Sequence, residues 1–403
     1  MTQEQSALLQ VLKTVFSPNM PLPDADSCDW EAVAKEAKQQ AVSLIFYDAV
    51  APLLPQMPDA ARQKIEKTGM RVVLSNLNVG NAQVRLTTLL REQNIPHLII
   101  KGEASAHYYP KPQLRTLGDI DFLVSPDHYA QLYPLFQQLG YEVDNELEIH
   151  HATFRAPGAV LEMHRSLSGQ PAGDLGELLQ PHLQGMPLRT QIHNIGNGDF
   201  QAPTNADHGL ILLLHTQHHL RSSGLGLRHL MDWCCYVNQT KDDAFWQEEF
   251  LPLLKKIGLY RFAAALTGVC ALAFGTTCPT WAVAEEPLCR ELLEDILSGG
   301  NFGRKDATRV TSGLMVSQVF SDGRKRSKLY NLWKTFHTSV AAHYPICQKC
   351  GVFYLVFYPV RGVRYLWRML TGKRESLIKA IPQANQRRDL YGQLQIFEVE
   401  ENG

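Results

Sequence analysis

Long apolar runs are scarce in this chain. Phe262–Cys278 is apolar but rich in alanine, glycine and threonine, marginal in length for a bilayer and better suited to a buried helix. Gly351–Val360 is far too short to cross one. No transmembrane segment is therefore expected. A disulfide framework is missing as well. The eight cysteines are scattered, Cys234 and Cys235 are adjacent, and Cys347-x-x-Cys350 has no second CxxC to complete a zinc ribbon. That usage suits a reducing cytosol rather than an oxidising compartment. The opening residues, MTQEQSALLQ, lack the basic-then-apolar order of a secretory leader, so a cytoplasmic location is expected. Extreme composition is absent too. With 45% hydrophobic and 20% charged residues over 403 positions, the chain reads as globular, with room for two or three domains.

The net charge of −1 conceals an asymmetry. Between Gly323 and Arg388 stand fourteen Lys/Arg and a single acid, Glu375. The rest of the chain is correspondingly acidic. A basic segment of this kind suggests an anionic partner, nucleic acid or an anionic membrane surface, and with the latter a peripheral membrane location. The alternative is a solvated basic face.

Apolar periodicity divides the chain into four regions. Residues 1–95 read as helices over Ser6–Phe16, Asp29–Val50 (broken by Pro52, Pro55 and Pro58) and Ala60–Gln93, the last amphipathic through Ile65, Met70, Val73, Leu74, Leu77 and Leu86. Residues 96–200 alternate strand and helix signals. Strands are expected at His97–Ile100 and Ile120–Val124. Ser125-Pro126-Asp127 starts a helix that Gly140 ends, and Tyr141–Val143 begins a strand. His150–Arg155 and Ala159–Arg165 form a hairpin. Residues 201–300 return to helices at Asn205–Leu220 and Leu227–Val237, and residues 301–403 form a basic helical region with helices at Ser327–Ala342 and Phe353–Leu370.

The chemistry concentrates in HLIIKGEASAHYYPKPQLRTLGDIDFLV, residues 97–124. Strand side chains alternate faces, so Asp119 and Asp121 point together while Ile120, Phe122 and Val124 point into a core. Two carboxylates on one strand face repel unless a positive group sits between them. A divalent cation with oxygen ligands is the natural occupant, Mg2+ or Mn2+. Further on, Val160, Glu162 and His164 share a strand face, which can bring Glu162 beside the aspartates.

The ordered set Lys101-Gly102, Arg115, Gly118-Asp119-Ile120-Asp121 resembles the nucleotidyltransferases of the DNA polymerase β superfamily. More closely, with R-x-x-GDIDFLV over Arg115–Val124, it resembles the bacterial uncharacterised nucleotidyltransferase group, over roughly Ile99–Arg165. The resemblance implies an α+β fold: a small mixed sheet, polymerase β-like, flanked by N-terminal and C-terminal helical regions. It implies Mg2+-dependent transfer of an NMP from an NTP, ATP by default, by a two-metal mechanism. Asp119, Asp121 and Glu162 would hold the metals, and Lys101, Gly102, Arg115 and Gly118 would bind the nucleotide. Where the wider superfamily usually has Gly-Ser this chain has Gly102-Glu103, leaving Ser105 as the substitute hydroxyl. The acceptor is open: a small molecule, a protein side chain or RNA. Two alternatives remain, a weak or inactive nucleotidyltransferase-fold binding protein acting through the basic segment, and a phosphotransferase on the same fold.

Beyond that stretch, His215 and His219 stand four apart on a helix, followed by Arg228 and Asp232, also four apart. The histidine pair suits zinc, but no third ligand stands at a familiar spacing; core packing or phosphate contact is the alternative. Arg228–Asp232 reads either as a helix ion pair or as an arginine held toward phosphate. His164 either bonds a carboxylate or packs.

Overall fold

The computed structural model describes residues 1–143, residues 151–306 apart from 157, 172 and 197, and, beyond 306, residues 309, 333, 336–337, 340–341, 344, 346–370 and 377–399. The fold is α+β. Helix α1 (Gln3–Phe16) opens on a capping box made by Thr2 and Gln5. The expected Asp29–Val50 helix is two, α2 (Trp30–Gln39), capped by Asp29, and α3 (Ser43–Val50). They part at Ala41, which adopts φ 59 and cannot continue a helix.

Helix α4 (Asp59–Glu92) runs 34 residues and joins two cores. Ala61 and Ile65 near its start sit in the large helical core, while Val79, Ala82, Leu86 and Leu90 near its end sit on the sheet. Between them Met70, Leu74 and Leu77 face solvent, at 56%, 57% and 52% exposure. The amphipathic stripe expected there is therefore interrupted where the helix crosses between cores. The opposite face of the same turns carries Asn76. Its amide donates to the Gln113 and Arg115 carbonyls at 3.2 and 2.8 Å and accepts from the Leu117 N–H at 2.9 Å. One mid-helix side chain thus fixes the loop that leads into the aspartates.

The sheet has five strands in the order β1-β2-β5-β4-β3: β1 (His97–Ile99), β2 (Ile120–Val124), β3 (Glu142–Val143), β4 (His151–Ala156) and β5 (Ala159–His164). β1 and β2 are antiparallel, β2 and β5 parallel, and β5-β4-β3 antiparallel. Between β2 and β3 lies α6 (Pro126–Gln138), with Ser125 as N-cap; the short α5 (Glu103–Ala106) follows β1. Ile120, Phe122, Val124, Leu161 and Met163 on one sheet face pack with Leu132 and Phe136 of α6 and the end of α4. The opposite face carries the polar residues.

After α7 (Asp174–Gln184) comes a hairpin that the sequence reading did not separate, β6 (Thr190–Asn194) and β7 (Asp199–Pro203). Helices α8 (Asn205–Arg221), α9 (Leu227–Gln239), α10 (Leu251–Lys256), α11 (Tyr260–Phe274) and α12 (Glu286–Gly299) build most of the large core. The apolar stretch beginning at Phe262 lies in α11 and is buried as expected. Among the described residues no single helix is long and apolar enough to cross a membrane.

The helix expected over Ser327–Ala342 falls largely outside the described residues. α13 (Phe353–Leu370) matches its expectation, but its exposed surface is substantially apolar through Leu355, Val356, Val360, Val363 and Trp367. α14 (Leu377–Gln393) docks on the body of the protein, burying Leu390 and Tyr391, and Leu394 beyond it. The basic segment is accordingly not wholly surface. Arg361 and Arg387 are buried, and Arg387 donates to the carbonyls of Arg309 and Leu220 at 3.2 and 2.8 Å.

Candidate active site

The parallel pairing of β2 with β5 builds the site. Asp121 stands directly opposite Glu162 in the register. Asp119 lies just before β2 rather than in its ladder. Side-chain alternation places Asp119, Asp121, Glu162 and His164 on the face away from the α4–α6 core. They line a cavity of about 730 Å3 whose far wall is α8 and the first turns of α9. Lys101, Gly102, Arg115, Gly118, Arg228, His215, His219 and Asp232 line the same cavity. Of the candidate site residues expected from sequence, Ser105 alone does not; it is fully buried in α5.

The positive group that two neighbouring carboxylates require is a side chain. Lys101 Nζ lies 2.5 Å from Asp121 Oδ1, and His164 Nε2 lies 2.9 Å from the same oxygen. Burial opposes the charge on Asp121, but the Lys101 ammonium and the His164 hydrogen bond outweigh it and hold the carboxyl well below its ordinary range. Glu162 behaves oppositely. Burial raises its pKa; the His164 hydrogen bond opposes the rise, and the charges of Asp121 and Asp119 add to it. Burial works against protonation of His164, yet its hydrogen bonds to Asp121 and Glu162 raise its pKa. His151, from β4, reaches Glu162 at 3.9 Å. Two neighbouring carboxylates thus carry opposite shifts, one fixed as an anion and one poised to accept a proton.

Lys101, expected at a triphosphate, rests among the carboxylates. It is brought there by Gly102, whose φ of 61 and ψ of −117 turn the chain sharply after β1. Glu103 stays out of the cavity. It is buried in α5, and the Gln83 amide of α4 donates to it at 2.6 Å. The acid in the Gly-Ser position is thereby turned into the protein.

The expected pair within α9 is replaced by a longer-range one. Asp232 accepts from Arg115 Nε and Nη2, each at 2.7 Å, and from the Tyr109 hydroxyl at 2.7 Å. A buried guanidinium requires a counterion, and a bidentate carboxylate supplies the best geometry. The fork of Arg115 is therefore spent on Asp232. Arg228 is left with an Nε that has no hydrogen-bond partner, its guanidinium 6.0 Å over the Phe302 ring. Burial, and then Arg115, lower its pKa.

Among the cavity-lining residues that sequence reasoning missed are His151, His229 and Phe302. His151 is a β4 residue that stands opposite His164 across the hairpin and reaches Glu162 diagonally, a position that the alternation of the strand allows. His229 and Phe302 arrive from other helices and turns and leave no local signal.

The donor chemistry fits a divalent cation. Asp121, Glu162 and His164 offer ligand atoms that all lie within 4.8 Å of one another, with Asp119 beside them on the cavity wall. Carboxylate oxygens in that density suit Mg2+ or Mn2+. A search of curated protein sequences finds no match. Residues 26–275, however, match the family described as uncharacterised nucleotidyltransferase. That span contains the whole sheet, α8, α9 and every cavity residue except Phe302. With more than half its length matched and the motif residues gathered in one cavity, the chain belongs to the uncharacterised nucleotidyltransferase family.

Proposed function

We propose that the chain transfers an NMP from an NTP, ATP in the first instance, to an acceptor, using Mg2+ or Mn2+ held by Asp119, Asp121 and Glu162. The observation that carries this reading is the register of Asp121 opposite Glu162 on parallel strands, with Asp119 two residues from Asp121. Divalent ions bound there would neutralise charge on the attacking and leaving oxygens. The residues of the chain supply the rest. Asp121, held ionised, is the permanent anion of the site. Glu162, opposite Asp121 at the rim of the carboxylate set, would orient the attacking acceptor group and take its proton. Lys101 exchanges its contact with Asp121 for a phosphate oxygen when triphosphate enters. Arg228, a cavity cation with an unpartnered Nε, meets the phosphates directly. Arg115 acts less directly, by holding Asp232 and the loop that carries Asp119. Gly102 and Gly118 let phosphate approach the backbone.

The test is transfer from alpha-labelled and gamma-labelled NTP, with wild type and Asp121→Asn. Alpha label passed to an acceptor by the wild type alone supports the proposal. Gamma label passed instead makes the protein a phosphotransferase. Transfer of neither label, with NTP still bound, leaves a binding protein.

A further inference from the structure

We propose that His215, His219 and His229 form a transition-metal site, zinc by its ligand chemistry, on the helical wall of the cavity and separate from the carboxylates. Their ligand nitrogens all lie within 4.8 Å of one another. Zinc–nitrogen distances of about 2.0–2.1 Å put tetrahedral ligands roughly 3.3 Å apart, within reach of small ring rotations. Two of the histidines come from one turn of α8, where spacing of four places them on one face. The third comes from the first turn of α9, folded back by Gly224-Leu225-Gly226. That turn is tightly built: Gly224 has φ +111, and a Cβ on Gly226 would lie 2.8 Å from Asn301.

The rings do not pack as a stack. His215 and His219 are edge-on, 4.3 Å apart at 80°, and both stand 5.4 Å from His229. Both nitrogens of His229 are buried, and apart from a marginal contact with the Gly226 backbone neither has a hydrogen-bond partner, a state that proteins avoid and that a metal bond would relieve. Phe302 closes the cluster, 4.9 Å from His219 and 5.5 Å from His229. It does so from φ 56, where an aromatic residue sits only if its surroundings hold it. Neutral imidazole is the form that binds metal. Three neutral histidines suit zinc and not Mg2+. They also leave one coordination position toward the cavity. With Lys101 and Arg228 nearby, that fourth ligand is anionic: hydroxide or a phosphate oxygen.

The full-length protein, stripped with EDTA, is loaded with Zn2+ alone and with Co2+ alone, without nucleotide, in excess Mg2+. One equivalent of zinc per chain is expected, with the visible absorption of tetrahedral Co2+ and an X-ray absorption spectrum fitting imidazole nitrogen ligands. Asp121→Asn should keep this binding, and His219→Gln and His229→Gln should weaken it at least tenfold. Equal zinc affinity in the histidine variants overturns the site. So does its loss in Asp121→Asn, or a wild-type spectrum without three imidazoles. That spectrum decides the matter even if a variant fails to fold. Metal loading is read without NTP, so this site and the proposed transfer activity stand or fall separately.

Discussion

At the scale of single residues, Lys101 and Asp121 reverse one expectation. From sequence, the aspartates are mutually repelling and a neutral substitution would relieve strain. In the fold, Asp121 is the anion of a buried pair with Lys101 and His164. Asp121→Asn is therefore expected to abolish metal-dependent transfer and also to destabilise the metal-free protein. The loss should be about 1–3 kcal/mol, moderated by the remaining charges of Glu162 and Asp119. Urea denaturation in EDTA measures it; an unchanged or raised midpoint would refute the pairing. Glu103 yields a second prediction. Glu103→Ser restores the usual superfamily residue but removes the buried acceptor of the Gln83 amide. It should cost about 1–3 kcal/mol and leave NTP affinity unimproved, as isothermal titration would register.

Among elements, the decisive contacts are those that join pieces distant in sequence. Strand alternation made the Asp119/Asp121 face and the Val160/Glu162/His164 face legible, because period-two order is local. The helix over Ala60–Gln93 and the Ser125 cap were legible for the same reason. The Arg115–Asp232 pair was not, since its partners are 117 residues apart and the spacing of four within α9 offered a nearer but unused one. Nor was His229 legible as a companion of His215 and His219, because no helical period links α8 to α9. Asn76 is a similar case: an unremarkable polar residue in a helix that turns out to clamp the loop leading to Asp119. Asn76→Ala should release the backbone groups of Gln113, Arg115 and Leu117. A fall in melting temperature corresponding to about 1–3 kcal/mol is expected, with turnover falling more than NTP affinity. Wild-type turnover in the folded variant would show that the loop is held by other means.

The whole molecule carries the marks of buried neutral histidines. Burial lowers His208 to about 3 and, with its neighbour His107 adding to the effect, His193 to about 4. The unfolded chain takes up these protons near pH 6.5 and the native one does not, so stability falls as pH falls from about 6.5 toward those values. Each such histidine contributes a slope of up to about 1.4 kcal/mol per pH unit. Unfolding free energies at pH 6 and pH 5 should accordingly diverge less in His208→Asn than in wild type; identical slopes would discount His208. The carboxyl-terminal helix belongs to the same cooperative unit. Removing residues from 377 onward takes Leu390, Tyr391, Leu394 and the Arg387 contacts out of the core, and should lower the melting temperature in a scan. The cavity itself has a consequence for how the protein is made. Its walls run from Lys101 to Phe302. At roughly 5–20 residues per second a ribosome needs on the order of 10–40 s to travel from one to the other. Until α8 (Asn205–Arg221) and α9 (Leu227–Gln239) have followed, the nascent chain exposes Asp119, Asp121 and then Glu162 with no helical wall to face them, so a message truncated between Glu162 and Asn205 encodes the carboxylates without their pocket.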